Sequence, residues 1–222
     1  ARGGSTGVPR KNLARVGGAT LLSHTLFAAS SASSVDEVVV TTDDDDIAAE
    51  AARCGATVVR RPAALSSATA SSESALLHAM DDVGVDDDDV VLFLQCTSPF
   101  TRSEHVDACH NALLDGADSV LCAAPTHKFI WKKEADASAS GVNHAPTERK
   151  RRQDLDPEFE ETGSVYGFSA GGFRQARHRF FGTTRLVEVP PHSGIEVDTP
   201  DDLELVRALW RIYGVRRPPP FR

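Results

Sequence analysis

The first twelve residues, Ala1-Arg2-Gly3-Gly4-Ser5-Thr6-Gly7-Val8-Pro9-Arg10-Lys11-Asn12, combine three glycines with three basic side chains. Glycine lets backbone N–H groups approach a phosphate closely. Arg2 and Lys11 add fixed positive charge suited to a polyphosphate. The spacing is neither a Walker loop, which needs G-K-[ST], nor G-x-G-x-x-G; by composition alone it also fits a basic, flexible terminus. Near the other end, Glu196-Val197-Asp198 places two acids two residues apart. On a strand such residues face the same way, and two carboxylates there can hold Mg²⁺. Glu148-Arg149-Lys150-Arg151-Arg152-Gln153-Asp154 is the strongest basic cluster. It reads as an anion clamp, as a solvated charge run or as a nuclear localisation signal. Gln95-Cys96-Thr97-Ser98-Pro99 reads as a polar turn after an apolar run, and Thr69-Ala70-Ser71-Ser72 as a Ser-rich loop. Phe180-Phe181 reads first as core packing.

These residues need elements to hold them. Helices are expected over 20–33, 46–54 (capped by Gly55), 71–80, 103–114 and 201–210. Thr199 is the expected N-cap of the last, with Pro200 at its first position. Strands are expected over 35–42, 57–60, 90–94, 119–123, 164–169, 185–189 and 195–197. The run Val90-Val91-Leu92-Phe93-Leu94 is continuously apolar, as in a strand covered on both faces. Alternating strands and helices imply an α/β fold with a doubly wound, mostly parallel sheet. Ligands in such sheets sit beyond the strands' carboxyl ends, where three of the motifs fall. Periodicity fades between about residues 126 and 157, which reads as an arm or lid. The expected division is 1–125 as α/β core, 126–190 as arm segment, and 191–222 as metal-binding strand and closing helix. The Pro-rich tail, 216–222, is expected to be loose. A glycine loop of this type normally follows a buried strand; none precedes it here, as in a fragment.

The bulk numbers narrow the class. The 222 residues are 41% hydrophobic, which suits a globular α/β domain. A net charge of -8 argues against a nucleic-acid partner. The acidic runs Asp43 to Asp46 and Asp86 to Asp89 read as solvated loop ends. Cys54, Cys96, Cys109 and Cys122 form no C-x-x-C pair or zinc spacing, and imply a reducing compartment. No apolar run is long enough to span a membrane. The expected location is cytoplasmic or, through the basic cluster, nuclear.

The opening segment resembles the N-terminal signature A-R-G-G-S-K-G-x-P-x-K-N of the cytidylyltransferases that make CMP-sialic acid, with Thr6 in place of the usual Lys and Arg10 close enough to stand in for it. The resemblance extends along the chain. Val40-Thr41-Thr42-Asp43 is similar to a strand ending in S-T-D. Arg61-Pro62 and the Ser-rich run are similar to the segment that holds cytosine and ribose, with Ala68 in place of Asp. Gln95 to Pro99 is similar to Q-x-T-S-P, and Arg151 to Asp154 to R-R-Q-D. Residues 161–166 are similar to E-N-G-x-x-Y, with Thr162 replacing Asn, and 194–199 to S-I-D-I-D-T, with Glu196 replacing Asp.

The resemblance implies transfer of CMP from CTP to an N-acylneuraminate, with release of pyrophosphate. It implies catalytic roles for Arg2, Lys11, Arg151 and Arg152, and nucleotide contacts from Arg2, Gly3, Gly4, Ser5, Lys11, Asn12, Arg61, Ala70 and Ser72. It implies sugar contacts from Gln95, Thr97, Ser98, Gln153, Tyr166, Phe180 and Phe181, the aromatic pair reaching across a homodimer interface. Mg²⁺ would sit on Glu196 and Asp198. The partners implied are CTP, an acidic nine-carbon sugar and a second copy of the chain. Alternatives are a related acid (legionaminic, pseudaminic or Kdo-like) and an inactive relative, which the departures at Thr6 and Ala68 would suit.

Overall fold

The computed structural model describes residues 1–4, 7–67, 69–148 and 150–214, with residue 152 described by its backbone only. Ser5, Thr6, Ala68, Arg149, the Arg152 side chain and the tail at 216–222 therefore lie outside the described residues.

The chain opens with a loop and a 3-10 turn, Lys11–Leu13, then a tight hairpin of β1 (Arg15–Val16) and β2 (Ala19–Thr20). α1 (Leu21–Ser30) follows, with the Thr20 hydroxyl accepting from the Ser23 amide as its N-cap. β3 (Val39–Thr42), α2 (Asp45–Arg53) and β4 (Thr57–Arg60) form a β-α-β unit whose strands pair in parallel. The Asp43–Asp46 run has specific work here. Asp44 caps α2 by accepting from the Asp46 and Ile47 amides, and Asp45 and Asp46 sit in the first turn, where the helix dipole favours negative charge.

α3 (Ser72–Val83), β5 (Val90–Leu94), α4 (Ser103–Leu114), β6 (Ser119–Thr126), β9 (Glu158–Ser169), α5 (Ala170–Ala176), β10 (Thr184–Glu188) and α6 (Pro200–Tyr213) complete the main body. Between β6 and β9 lies the short exposed hairpin of β7 (Trp131–Lys133) and β8 (Ala139–Gly141). A four-stranded sheet has the order β10-β6-β9-β5. β10 and β6 are parallel, while β9 runs antiparallel to both β6 and β5. So β5, β6 and β10 share one direction and β9 alone opposes them, in a mixed α/β layer architecture.

Three expectations shift. β9 starts at Glu158 rather than 164 and lies inside the sheet. The excursion from the sheet is the stretch between β6 and β9, as the fading periodicity over 126–157 suggests. Residues 195–197 form no ladder with another strand; a 3-10 turn, Pro191–Gly194, leads into an extended segment. α5 was not expected, because its Gly171-Gly172 pair hides a seven-residue helix from periodicity. The cap of α6 matches expectation: Thr199 accepts from the Asp202 amide, and Asp202 accepts in return from the Thr199 amide.

One core cluster bears directly on the site. Val8, Val16, Leu21, Phe100, Val197, Leu203 and Val206 pack together. This ties the N-terminal loop to the segment before α6, although they are far apart in sequence. Among the described residues no helix is long and apolar enough to cross a membrane.

Candidate functional site

The N-terminal loop is shaped by contacts that glycine permits. A Cβ on Gly7 would lie 2.0 Å from the Asp198 carbonyl oxygen, so only glycine lets these two backbones meet. A Cβ on Gly3 would lie 2.6 Å from a carboxylate oxygen of Asp44. The Gly3 amide donates to Asp43 Oδ1 at 3.2 Å, and Asn12, which is buried, donates to the Arg2 carbonyl at 3.0 Å. Arg10 has a left-handed backbone (φ 53) and pairs with Asp46. It is thus directed to α2 and does not replace the usual Lys of position 6.

With Val8 and Val197 in one core, the flanking polar residues converge. Lys11 Nζ lies 2.8 Å from Asp198 Oδ1. Val197 donates its amide to the Thr97 carbonyl at 2.9 Å, which docks this segment onto the end of β5. The Thr97 hydroxyl donates to Glu196 Oε1 at 3.2 Å. Val197 is fully buried, so the acids on either side of it turn to the cleft without a strand ladder. Asp202, through the cap of α6, also accepts from the Asp198 amide at 3.1 Å and fixes that backbone. Burial, and then the charge of Asp198, push the Glu196 carboxyl above its usual range.

One cleft gathers Arg2, Gly7, Lys11, Asn12, Arg61, Ala70, Ser72, Gln95, Thr97, Glu196 and Asp198 along its wall. Arg61 reaches it through hydrogen bonds to the Thr41 carbonyl (2.8 Å) and the Ala1 carbonyl (3.4 Å). Burial lowers its guanidinium below the ordinary value. Arg2 donates to the Ser67 carbonyl at 3.1 Å, linking the glycine loop to the Ser-rich segment. Ser71 caps α3, which turns that helix's N-terminus toward the cleft wall. Gly3 and Gly4 do not line this cleft, and the Gly3 amide is committed to Asp43.

Other expected residues lie elsewhere. Ser98 is wholly buried, and its hydroxyl donates to the Thr162 carbonyl at 3.2 Å; it braces the turn after β5 and does not face a ligand. Arg151 is exposed and paired with Asp154 at 2.7 Å, and Gln153 is exposed; neither lines the cleft. The cause is local: in the 3-10 turn Arg152–Asp154, Arg151 closes an ion pair three residues on. Tyr166 is buried, donates to a Glu161 carboxylate oxygen, and meets Phe180 edge-on at 5.9 Å. Phe181 packs against Gly172 and the Met80–Phe168–Phe173 cluster of its own chain. The ring of Phe181 thus packs within its own chain, and Phe180 is half-buried over Tyr166.

Two contributors were not expected from the sequence. Glu161 sits where the β6–β9 register shifts, and Gly163 at that bulge has φ +60. A Cβ on Gly163 would meet Glu196 at 2.1 Å, so the bulge makes room for that carboxylate. Arg179, paired with Glu73 at 2.8 Å, lies over the Tyr166 ring at 4.6 Å. Bulge position and long-range pairing leave no local pattern in sequence.

The arrangement offers cations, a helix N-terminus, hydroxyls and two acids around one cleft, as phosphate chemistry requires. Residues 1–180 match a family model described as cytidylyltransferase. Among curated proteins, N-acylneuraminate cytidylyltransferases B and A of Danio rerio are 32% and 31% identical over 118 residues. The match covers 51% of this chain but only 28% and 27% of those proteins. Among solved structures, CMP:2-keto-3-deoxy-manno-octonic acid synthetase complexed with CTP is similar at TM-score 0.70 and 23% identity, covering 95% of each chain. 4-Diphosphocytidyl-2C-methyl-D-erythritol synthase from Anaerococcus prevotii is similar at TM-score 0.62 and 16% identity, covering 90% of this chain and 93% of that one. At these identities the likeness concerns the fold.

Proposed function

The chain belongs to the cytidylyltransferase family, and from that premise we propose that it joins the CMP part of CTP to an N-acylneuraminate, releasing pyrophosphate. The observation that carries this reading is the convergence of Arg2, Lys11, Arg61, Glu196 and Asp198 on one cleft. The similarity to the Danio rerio enzymes supports the choice of sugar.

In this reading the anomeric hydroxyl of the sugar attacks the α-phosphorus of CTP, and the bond to the β-phosphate oxygen breaks. Charge builds on phosphate oxygens, so positioning and fixed cations dominate. Lys11 and Arg2 hold the triphosphate. Arg61 and the segment Ala70–Ser72 hold the nucleoside, where hydroxyl and backbone groups can meet the donor and acceptors of cytosine. Gln95 and Thr97, at the carboxyl end of β5, face the sugar, with Tyr166 and Phe180 behind them. Arg151 and Gln153 join the site only if their segment swings toward the cleft on binding.

Glu196 and Asp198 fit a divalent cation by their chemistry. They are two carboxylates, of which Glu196 is half-buried and raised by that burial and then by the charge of Asp198. Among the described residues no group of three or more metal-ligating side chains exists. Mg²⁺ needs only one or two carboxylates and takes the rest of its shell from water and phosphate. When bound, Mg²⁺ would neutralise charge on the phosphate oxygens. Lys11 holds Asp198 in place without it.

A homodimer belongs to the same proposal. Ile130, Trp131 and Val142 on the β7–β8 arm are exposed large apolar side chains and supply a face for a second copy. The nucleotide assignment is tested by thermal protection: CTP should raise the melting temperature and ATP should not. Equal protection by both would remove the cytosine reading.

A further inference from the structure

Residues 177–183 connect α5 to β10, and two side chains pin this loop, one on either side of Phe180. Phe181 packs against the core cluster of Met80, Phe168 and Phe173. Arg179 reaches instead to α3. Its Nε and Nη2 donate to Glu73 Oε1 at 2.9 and 2.8 Å. The pair is nearly buried, with 13% and 17% of the two side chains exposed. Burial opposes ionisation of Glu73, yet the Arg179 bonds outweigh it and hold the carboxyl below its usual value. Between the two anchors, the Phe180 amide donates to His178 Nδ1 at 3.1 Å.

The same guanidinium stands over two rings, 4.6 Å from the centre of Tyr166 and 5.0 Å from that of Phe93. These rings are partners across the β5–β9 ladder and stack at 5.8 Å. A planar, delocalised cation suits such faces better than an ammonium does. Tyr166 meets Phe180 edge-on and donates to Glu161, whose charge acts on Glu196. At the other end, Glu73 sits in the first turn of α3, beside Ser71 and Ser72 of the cleft wall. α3 is itself fixed in the core through Ala75, Ala79 and Met80. One side chain thus spans from a fixed helix to the rings of the β5–β9 ladder.

We propose that Arg179 is a positioning residue: paired with Glu73 and stacked on Tyr166, it sets where the Tyr166–Phe180 wall stands relative to the nucleotide side of the cleft. This rests on the function proposed above. Arg179 touches neither substrate; it acts through Tyr166 and Phe180. A small shift of that wall misplaces the attacking hydroxyl against the α-phosphorus, and such shifts cost rate steeply. The nucleotide side, carried by α3 and the glycine loop, stays in place. Charge and shape separate at this position. Lysine can keep the pair with Glu73 but not the flat stack on two rings, so Arg179→Lys should keep the fold and lose the placement.

The test compares the parent chain with Arg179→Lys and with the double variant Glu73→Gln/Arg179→Gln, which leaves no unpaired buried charge. Amide hydrogen exchange reads the loop, CTP protection against melting reads the nucleotide side, and pyrophosphate release reads kcat and KM. In both variants exchange at the Phe180 amide should quicken at least about tenfold. CTP protection should persist and the KM for CTP stay within about twofold, while kcat/KM for N-acetylneuraminate falls at least about tenfold, mostly through kcat. Parent-like sugar kinetics in Arg179→Lys overturn the proposal. So does an equal loss on the CTP side, or failure of Arg179→Lys to fold, since either marks a general role in stability. If the parent itself releases no pyrophosphate with any acidic sugar, the function reading fails and exchange at Phe180 decides the positioning role: unchanged in Arg179→Lys, it overturns that role; quickened, it upholds it. Should the double variant not fold, Arg179→Lys alone carries the same outcomes.

Discussion

Lys11 and Asp198 are 187 positions apart in sequence and 2.8 Å apart in space. Asp198→Asn keeps the shape and removes a negative charge. Turnover should fall on the order of a hundredfold, as expected where metal and phosphate positioning supplies a few kcal/mol, with little change in melting temperature. Near-normal turnover at limiting Mg²⁺ would remove Asp198 from the machinery. Glu196 gives a pH signature. Its folded pKa is raised, so the protonated form is the one the fold favours. That stability is fully present below the unfolded value near 4.5 and is lost as pH rises through the higher folded value. Glu196→Gln should therefore raise the melting temperature of the nucleotide-free protein at pH 7 and leave it unchanged near pH 4. A loss of stability at pH 7 would contradict the assigned cause. At this scale the meeting of Lys11 and the two acids on one cleft wall agrees with what residue type and spacing suggest, and that of Arg61 with what the family resemblance implies. Ser98 and Arg151 were not legible: a buried hydroxyl bond to Thr162 and an ion pair to Asp154 depend on the fold around them.

At the scale of elements, α6 does more than close the core. Its cap holds the Asp198 amide through Asp202. Thr199→Ala should cost about 1 kcal/mol of stability, the usual loss of a helix cap, and should also lower turnover by loosening Asp198. Unchanged turnover would mean the cap does not position that acid. α1 and α2 are joined by Glu50, held at about 2 by Arg53, with further hydrogen bonds from Ser23 and Thr20. A depressed carboxylate stabilises above its unfolded pKa and loses that contribution as pH falls through the folded value. Glu50→Gln should thus destabilise the protein at pH 7, with the difference from the parent vanishing near pH 2 in the acid-melting curve. Most helices and strands were legible, since caps and periodicity are local. The 195–197 segment was not, because a strand needs a neighbour to pair with, and here the Thr97 carbonyl supplies one hydrogen bond in place of a ladder.

For the whole molecule, the doubly wound plan followed from alternating elements, whereas the antiparallel β9 did not, because strand direction depends on the path through the arm. The single chain builds one cleft, for which a nucleotide side and a sugar side are proposed, the latter completed by a second copy. Phe180→Ala should weaken sugar use while leaving CTP protection intact; loss of CTP protection would place that ring with the nucleotide. The most direct measurement of the central claim is pyrophosphate release by the purified protein with Mg²⁺, supplied with CTP or ATP and with N-acetylneuraminate, Kdo, legionaminate or pseudaminate in turn. The account predicts release that requires both CTP and N-acetylneuraminate and falls about a hundredfold in Asp198→Asn. Release with ATP equal to that with CTP, or none with any acidic sugar in the presence of bound CTP, would contradict it.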